Sequence, residues 1–221
     1  MVFSVAMSFF PNSGFHLEKV SSHRDRNSKK IMLSFDDGPH PQYSEKILDV
    51  LREHKISAVF FIIGKHVPGN EQILHRMIRE GHVIANHSHT HSVLWDLWPT
   101  ARMSEDIEKC SEIIHSVTGL RPAWFRPPYG VINPMVAKAV LARGMAAVTW
   151  SFRSFDTNTK EENRLVEKTI KGVRGGDILL FHDSLAVTAS GLGKIIVSLQ
   201  KKGFEFAGPE DFLRKKAYAD C

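Results

Sequence analysis

The sequence predicts a single-domain α/β fold on a mostly parallel sheet. Three observations carry this. Seven apolar, strand-like runs alternate with helix-like segments from Lys30 onward. The runs are almost continuously apolar, as strands covered on both faces are. The chain of 221 residues is long enough to bury one large core, and its 43% hydrophobic content is that of a soluble globular protein.

Residues 1–30 end in a polar, basic stretch and read as an N-terminal extension; residues 31–217 form the domain. "IMLSF" (31–35) is the first strand. The helix "YSEKILDVLREH" follows, with Tyr43, Ile47, Val50, Leu51 and His54 on one face. "AVFFIIG" (58–64) is the second strand, and Ile73, Leu74, Met77 and Ile78 stripe the next helix. "HVIAN" (82–86) is the third. The helix after it carries Met103, Ile107, Cys110, Ile114 and Val117 and closes at Gly119.

"AWFR" (123–126) is strand four. Asn133 as N-cap and Pro134 in the first turn open a helix that ends by Gly144. "AAVTWSF" (146–152) is strand five, followed by a helix around Leu165, Val166, Thr169 and Ile170. "DILLF" (177–181) is strand six, followed by a helix with Leu192, Ile195, Ile196 and Leu199. "FEFA" (204–207) is strand seven, and Pro209 starts the last helix. Seven such units suit a closed barrel or an open doubly wound sheet. No GxGxxG follows the first strand, which argues against a dinucleotide fold.

Composition narrows the function. Net charge is +5, from 29 basic and 24 acidic residues, spread except for His23–Lys30. This mild excess does not point to nucleic acid. No segment approaches the roughly 20 apolar residues of a membrane span. The opening "MVFSVAMSFFP" has no basic residue ahead of it and makes a poor signal peptide. The two cysteines, Cys110 and Cys221, form no CxxC and read as a buried apolar residue and a tail thiol.

The polar residues sort by position. Asp36 and Asp37 follow strand one, and His87 and His91 follow strand three. Arg126 ends strand four, Arg153 and Asp156 follow strand five, and His182 and Asp183 follow strand six. In a parallel barrel these carboxyl ends share the face that holds the active site. His87 and His91, spaced i, i+4, project to one side of a helical turn or helix-like loop and can grip one metal. His89 between them points elsewhere. "DDG" alone is a turn signature, but here it follows a strand, so both carboxylates can reach the mouth. Two His and one carboxylate form a ligand set for catalytic zinc or non-haem iron. The spacing also matches HExxH proteases, but position 88 is Ser, so the base must come from elsewhere, with the aspartate pair as the source. Arg126 in "FRPPYG" suits pairing with a site carboxylate, and His182 suits general-acid work.

"SFDDGP", "HSHTH", "RPPYG", "WSFRSFD" and "LLFHD" occur in an order that resembles the polysaccharide deacetylases, the NodB-homology or carbohydrate esterase family 4 domain, over about Ile31 to Phe212. The resemblance implies a distorted (β/α)7-type barrel. It implies Asp37, His87 and His91 as ligands of one divalent ion, zinc first and cobalt or nickel next. Asp36 is then the catalytic base, Arg126 the arginine that orients it and Asp156 the partner that holds the arginine. The Tyr129 N–H is the oxyanion donor and His182 the general acid. Leu180 lines the acetyl pocket, with Phe155 or Trp150 substituting for the family's motif-four tryptophan. That position is Thr157 here, and Arg153 stands where the family often has Asp. The implied activity is metal-dependent N-deacetylation of peptidoglycan or a chitin-like glycan by a monomer, at the cell envelope or outside the cell. An O-acetyl esterase of xylan and a catalytically silent carbohydrate-binding relative are the alternatives. Trp95 and Trp98 suit either sugar stacking or the core.

Overall fold

The computed structural model describes residues 19–20 and 26–219; Cys221 and "MVFSVAMSFFP" lie outside them. The elements run β1 (Lys19–Val20), β2 (Lys30–Asp36), α1 (Tyr43–His54), β3 (Val59–Ile62), α2 (Glu71–Arg79), β4 (Val83–Asn86), α3 (Thr100–Thr118), β5 (Trp124–Phe125), α4 (Pro134–Leu141), β6 (Ala146–Val148), β7 (Phe152–Arg153), α5 (Glu162–Gly172), β8 (Ile178–His182), α6 (Ala186–Lys201), β9 (Glu205–Phe206) and α7 (Pro209–Leu213). One curled sheet has the order β1-β6-β5-β4-β3-β2-β8-β7, with β9 paired to β2. Every described strand pair is parallel. The expected distorted barrel is present, and Lys19–Val20 of the N-terminal stretch adds a strand beside β6.

Period-two alternation divides the strand residues between two environments. Ile31, Leu33 and Phe35 of β2 face the helix layer with Ile47, Leu51, Leu192 and Ile196. Met32 packs inside the barrel with Val59, Phe61, Val83, Trp124 and Ile178, and Phe212 and Leu213 of α7 complete that cluster. Each fully buried Phe contributes about 1.5–3 kcal/mol of transfer free energy. Above the apolar interior the inward positions turn polar, so the barrel has a greasy floor and a charged mouth. Register keeps that mouth level, with Asp36 opposite Phe61 on β3 and His182 on β8.

Two expectations about elements need correction. In α1 the buried residues are Ser44, Ile47, Leu48 and Leu51, with Tyr43, Val50 and His54 at the margin. The seam is centred one residue away from the predicted stripe because the helix packs on α6 as well as on the sheet. The predicted fifth strand is two strands. β6 ends at Val148, and β7 begins at Phe152 on the opposite edge of the sheet, beside β8. Between them the carbonyls of Val148 and Thr149 accept from the Arg126 guanidinium, and the Ser151 N–H donates to Ile178 O. Residues 149–151 thus cross the seam, joining the sheet's two sides. The caps hold as expected. Gly119 takes φ 72 after α3, and the Asn133 side chain accepts from the Val136 N–H.

Candidate active site

Asp36 is the last residue of β2, and strand alternation turns its side chain into the mouth, where it is 3% exposed. Arg126 follows β5 and is fully buried. Its Nη1 donates to Asp36 Oδ1 at 2.6 Å and to Ser34 Oγ at 3.0 Å. Nε donates to Val148 O at 3.0 Å and Nη2 to Thr149 O at 2.9 Å. The guanidinium lies 3.9 Å from the Phe61 ring centroid. Burial pulls the Arg126 pKa down, and the Asp36 charge and hydrogen bond oppose that. The planar fork, held at each nitrogen, fixes the carboxylate's rotamer. The expectation that Asp156 holds Arg126 is wrong. Backbone carbonyls and Ser34 do so, because the crossing at residues 149–151 carries the chain past the arginine before Asp156 is reached.

Asp37, His87 and His91 converge beside this pair. His87 Nε2 lies 3.5 Å from Asp37 Oδ1, and His91 Nε2 lies 3.6 Å from the same oxygen. His87 Nδ1 must donate to Arg126 O, 2.7 Å away, since a carbonyl only accepts. That fixes the tautomer and leaves the Nε2 lone pair facing Asp37. Burial lowers the pKa of both imidazoles, against the opposing pull of Asp36 on each and of Asp37 on His87. Both are therefore held toward the neutral form that ligates metals. Their helical spacing is not the cause of their meeting. Residues 87–91 form an irregular loop with left-handed backbone at Ser88 (φ 67) and His91 (φ 48). His91 N donates to Ser88 Oγ, and the His89 and Thr90 N–H groups turn toward Asp106 Oδ2. The loop brings the rings to 4.8 Å. His89 stays out of the group, as expected.

His182 ends β8. Its Nδ1 donates to Asp156 Oδ1 at 2.8 Å, while Asp156 Oδ2 accepts from the His182 N–H at 2.7 Å and Thr188 Oγ1 at 2.8 Å. Burial works to lower the His182 pKa, but the hydrogen bond and charge of Asp156, with Asp36 and Asp37, push it up to about 9. Nε2 faces the mouth, 4.0 Å from Asp37 Oδ2. Leu180 shares His182's strand parity and lies below it, 2% exposed.

The Tyr129 ring lies tilted against His91, centroids 4.9 Å apart, and is 53% exposed, and its backbone is left-handed at φ 57. Trp150 packs over Gly130, where an added Cβ would sit 2.2 Å from the indole. Trp95 is fully buried and donates to Asp106 Oδ2 at 2.9 Å, so it is core; Trp98 is half-buried under Arg102. Arg153 and Thr157 are exposed, and Phe155 lies between Arg153 and Lys168. Asp183 went unassigned in the sequence although it stands in "LLFHD". It is fully buried, accepts from Ser44 Oγ, and burial pushes its pKa up to about 7, with the Ser44 bond opposing. His66 was missed altogether. It lies in an apolar stretch with no spacing signal, and its Nδ1 donates to Asp37 O at 3.0 Å.

The donor atoms of Asp37, His87 and His91 all lie within 4.8 Å of one another. Two imidazole nitrogens with fixed or neutral character and one carboxylate fit a divalent ion such as zinc. The fold is a parallel α/β barrel, and its carboxylates, imidazoles and buried arginine converge at the carboxyl ends of its strands. A family model for polysaccharide deacetylases matches residues 23–148. A peptidoglycan-N-acetylglucosamine deacetylase of Bacillus cereus is 34% identical over 200 residues, spanning 86% of this chain and 91% of the relative. The chain belongs to the polysaccharide deacetylase family, whose members are metal-dependent.

The solved structure of a peptidoglycan N-acetylglucosamine deacetylase in complex with a naphthalenyl N-hydroxybenzamide is similar, with a TM-score of 0.86 at 28% identity. That likeness covers 92% of this chain and 96% of the other. A peptidoglycan-N-acetylglucosamine deacetylase of Listeria monocytogenes is 31% identical over 191 residues, 86% of this chain. The chain spans only 40% of that relative's length. No described helix is long and apolar enough to cross a membrane.

Proposed function

We propose that this chain is a metal-dependent deacetylase that hydrolyses N-acetyl groups of an amino-sugar glycan, peptidoglycan or chitin-like, and releases acetate. The observation that carries the reading is the convergence of three units at one mouth: the Asp36–Arg126 pair, the Asp37–His87–His91 group and the Asp156–His182 pair. The names of the relatives, which are peptidoglycan and chitooligosaccharide deacetylases, support the substrate class.

Asp37, His87 and His91 hold the ion, zinc first and cobalt or nickel next. When bound, such an ion supplies Lewis acidity toward a carbonyl and lowers the pKa of water. Asp36, fixed through one oxygen by Arg126, takes a proton from the attacking water through the other. The Tyr129 N–H faces the carbonyl oxygen as it becomes an oxyanion. His182 is protonated at neutral pH by virtue of its raised pKa, and it gives the Nε2 proton to the leaving amine. Asp156 holds the imidazole through Nδ1, so the donating edge is the one turned to the mouth. Leu180 and Trp150 form the apolar walls for the acetyl methyl group. No side-chain nucleophile is required, and the enzyme acts as a monomer.

The test is acetate release from N-acetylglucosamine oligomers and peptidoglycan, with metal analysis of the purified protein. Chelator-sensitive acetate release restored by zinc, cobalt or nickel is the expected result. No acetate from any of these substrates with any of these metals overturns the proposal.

A further inference from the structure

The two loops that carry the ligand group come from different strands, and both are conformationally costly. Asp37 has φ 76, and the histidine loop has φ 67 at Ser88 and φ 48 at His91. Left-handed backbone at non-glycine residues persists only where surrounding contacts over-determine it. One short turn after β3 touches both loops. On the aspartate side, the Ile63 N–H donates to Gly38 O at 2.9 Å and His66 Nδ1 donates to Asp37 O at 3.0 Å. On the histidine side, the Gly64 N–H donates to Ser88 O at 3.0 Å and the Lys65 N–H to His89 O at 3.1 Å. Lys65 Nζ donates to Thr90 O at 2.8 Å.

We infer that residues 63–66 are a brace that sets the spacing between Asp37 and the His87–His91 pair, and that His66 is its key positioning residue. The other contacts that residues 63–66 make to the ligand loops come from backbone or from the exposed Lys65. His66 is the half-buried side chain that grips the carbonyl of the ligand residue Asp37 itself. It acts on the metal only through that carbonyl. Gly64 leaves room for the His89 ring and for the Cys110 backbone of α3, 3.1 Å from where a Cβ would sit. A Cβ there would sit 2.7 Å from His89 Nδ1.

The inference rests on the metal reading of Asp37, His87 and His91, and the experiment separates the two. Zinc dissociation constants are measured by competition with a chromogenic chelator for wild type, His66→Ala and His66→Asn, alongside melting of each metal-free protein. An Asn side-chain N–H lies near the position of His Nδ1 and retains the bond to Asp37 O. Expected are a loss of about ten- to hundredfold in zinc affinity for His66→Ala, the range for residues that orient ligands, recovery of most of it in His66→Asn, and metal-free melting unchanged in both. Wild-type zinc affinity in His66→Ala overturns the brace alone, as does an equal loss in both variants. If wild type itself does not bind zinc, the metal reading falls and the brace with it. Should His66→Ala not fold, Lys65→Met tests the same brace from the exposed side. A weaker zinc affinity there supports it, and an unchanged one overturns it.

Discussion

Replacing Arg126 by Met isolates the interaction that fixes the proposed base. Methionine keeps an apolar stem against Phe61 but removes every donor. Four hydrogen bonds go: to Asp36, Ser34, Val148 O and Thr149 O. Asp36, 3% exposed, then loses the cation hydrogen-bonded to it. Breaking a buried pair from one side costs about 3–5 kcal/mol, against a total stability of roughly 5–15 kcal/mol for a domain. Denaturant melts of the metal-free protein should show a large fall in midpoint with little change in slope. Asp36→Asn in the same background removes the stranded charge, so the double variant should be more stable than Arg126→Met alone by about 1 kcal/mol or more. A loss under about 1 kcal/mol for Arg126→Met, or a double variant no better than the single, refutes this account of the site.

Asp36→Asn should keep zinc and lose roughly 10²–10⁴ in turnover, the usual share of a general base; metal analysis beside acetate release checks both halves. His91→Ala should lose both metal and turnover, since it removes one of three donors. For His182 the folded pKa of about 9 lies above the ordinary 6.5, so its stabilising contribution is full below pH 6.5 and is lost as pH rises through 9. Asp156→Asn should flatten that loss in metal-free melts and move the alkaline limb of the turnover profile to lower pH; an unmoved limb speaks against His182 as the acid. Gly130→Ala drives a Cβ into Trp150 and strains a backbone at φ 71, so it should cost about 1–3 kcal/mol and slow acetate release. An active, equally stable variant would remove Trp150 from the pocket.

Which parts of the molecule were legible in the sequence follows from how local their physics is. Apolar runs and helical stripes report burial along a few residues, so the strand and helix order could be read. Asp36, Asp37, His87, His91, Arg126 and His182 all stand at strand ends, which a parallel topology brings to one face. The motif order supplied their grouping. The i, i+4 spacing of His87 and His91 predicts a helical turn or a helix-like loop; the rings do meet, but through an irregular loop with left-handed backbone at Ser88 and His91. The stripe of α1 was misplaced because periodicity does not say which neighbour a helix also packs against.

What the sequence determined by itself is a parallel α/β barrel with carboxylates, histidines and an arginine gathered at its carboxyl end. What only the tertiary structure decided is who holds whom. Asp156 grips His182 rather than Arg126 because the chain crosses the barrel seam at residues 149–151, a step set by long-range pairing with β8. Trp95 is core because Asp106, eleven residues on, accepts its indole N–H inside the fold. His66 touches Asp37 across a separation of 29 residues with no periodic signal. Hydrogen bonds between distant segments leave no pattern in the chain, because any residue of the right chemistry that the fold delivers to the right point will make them.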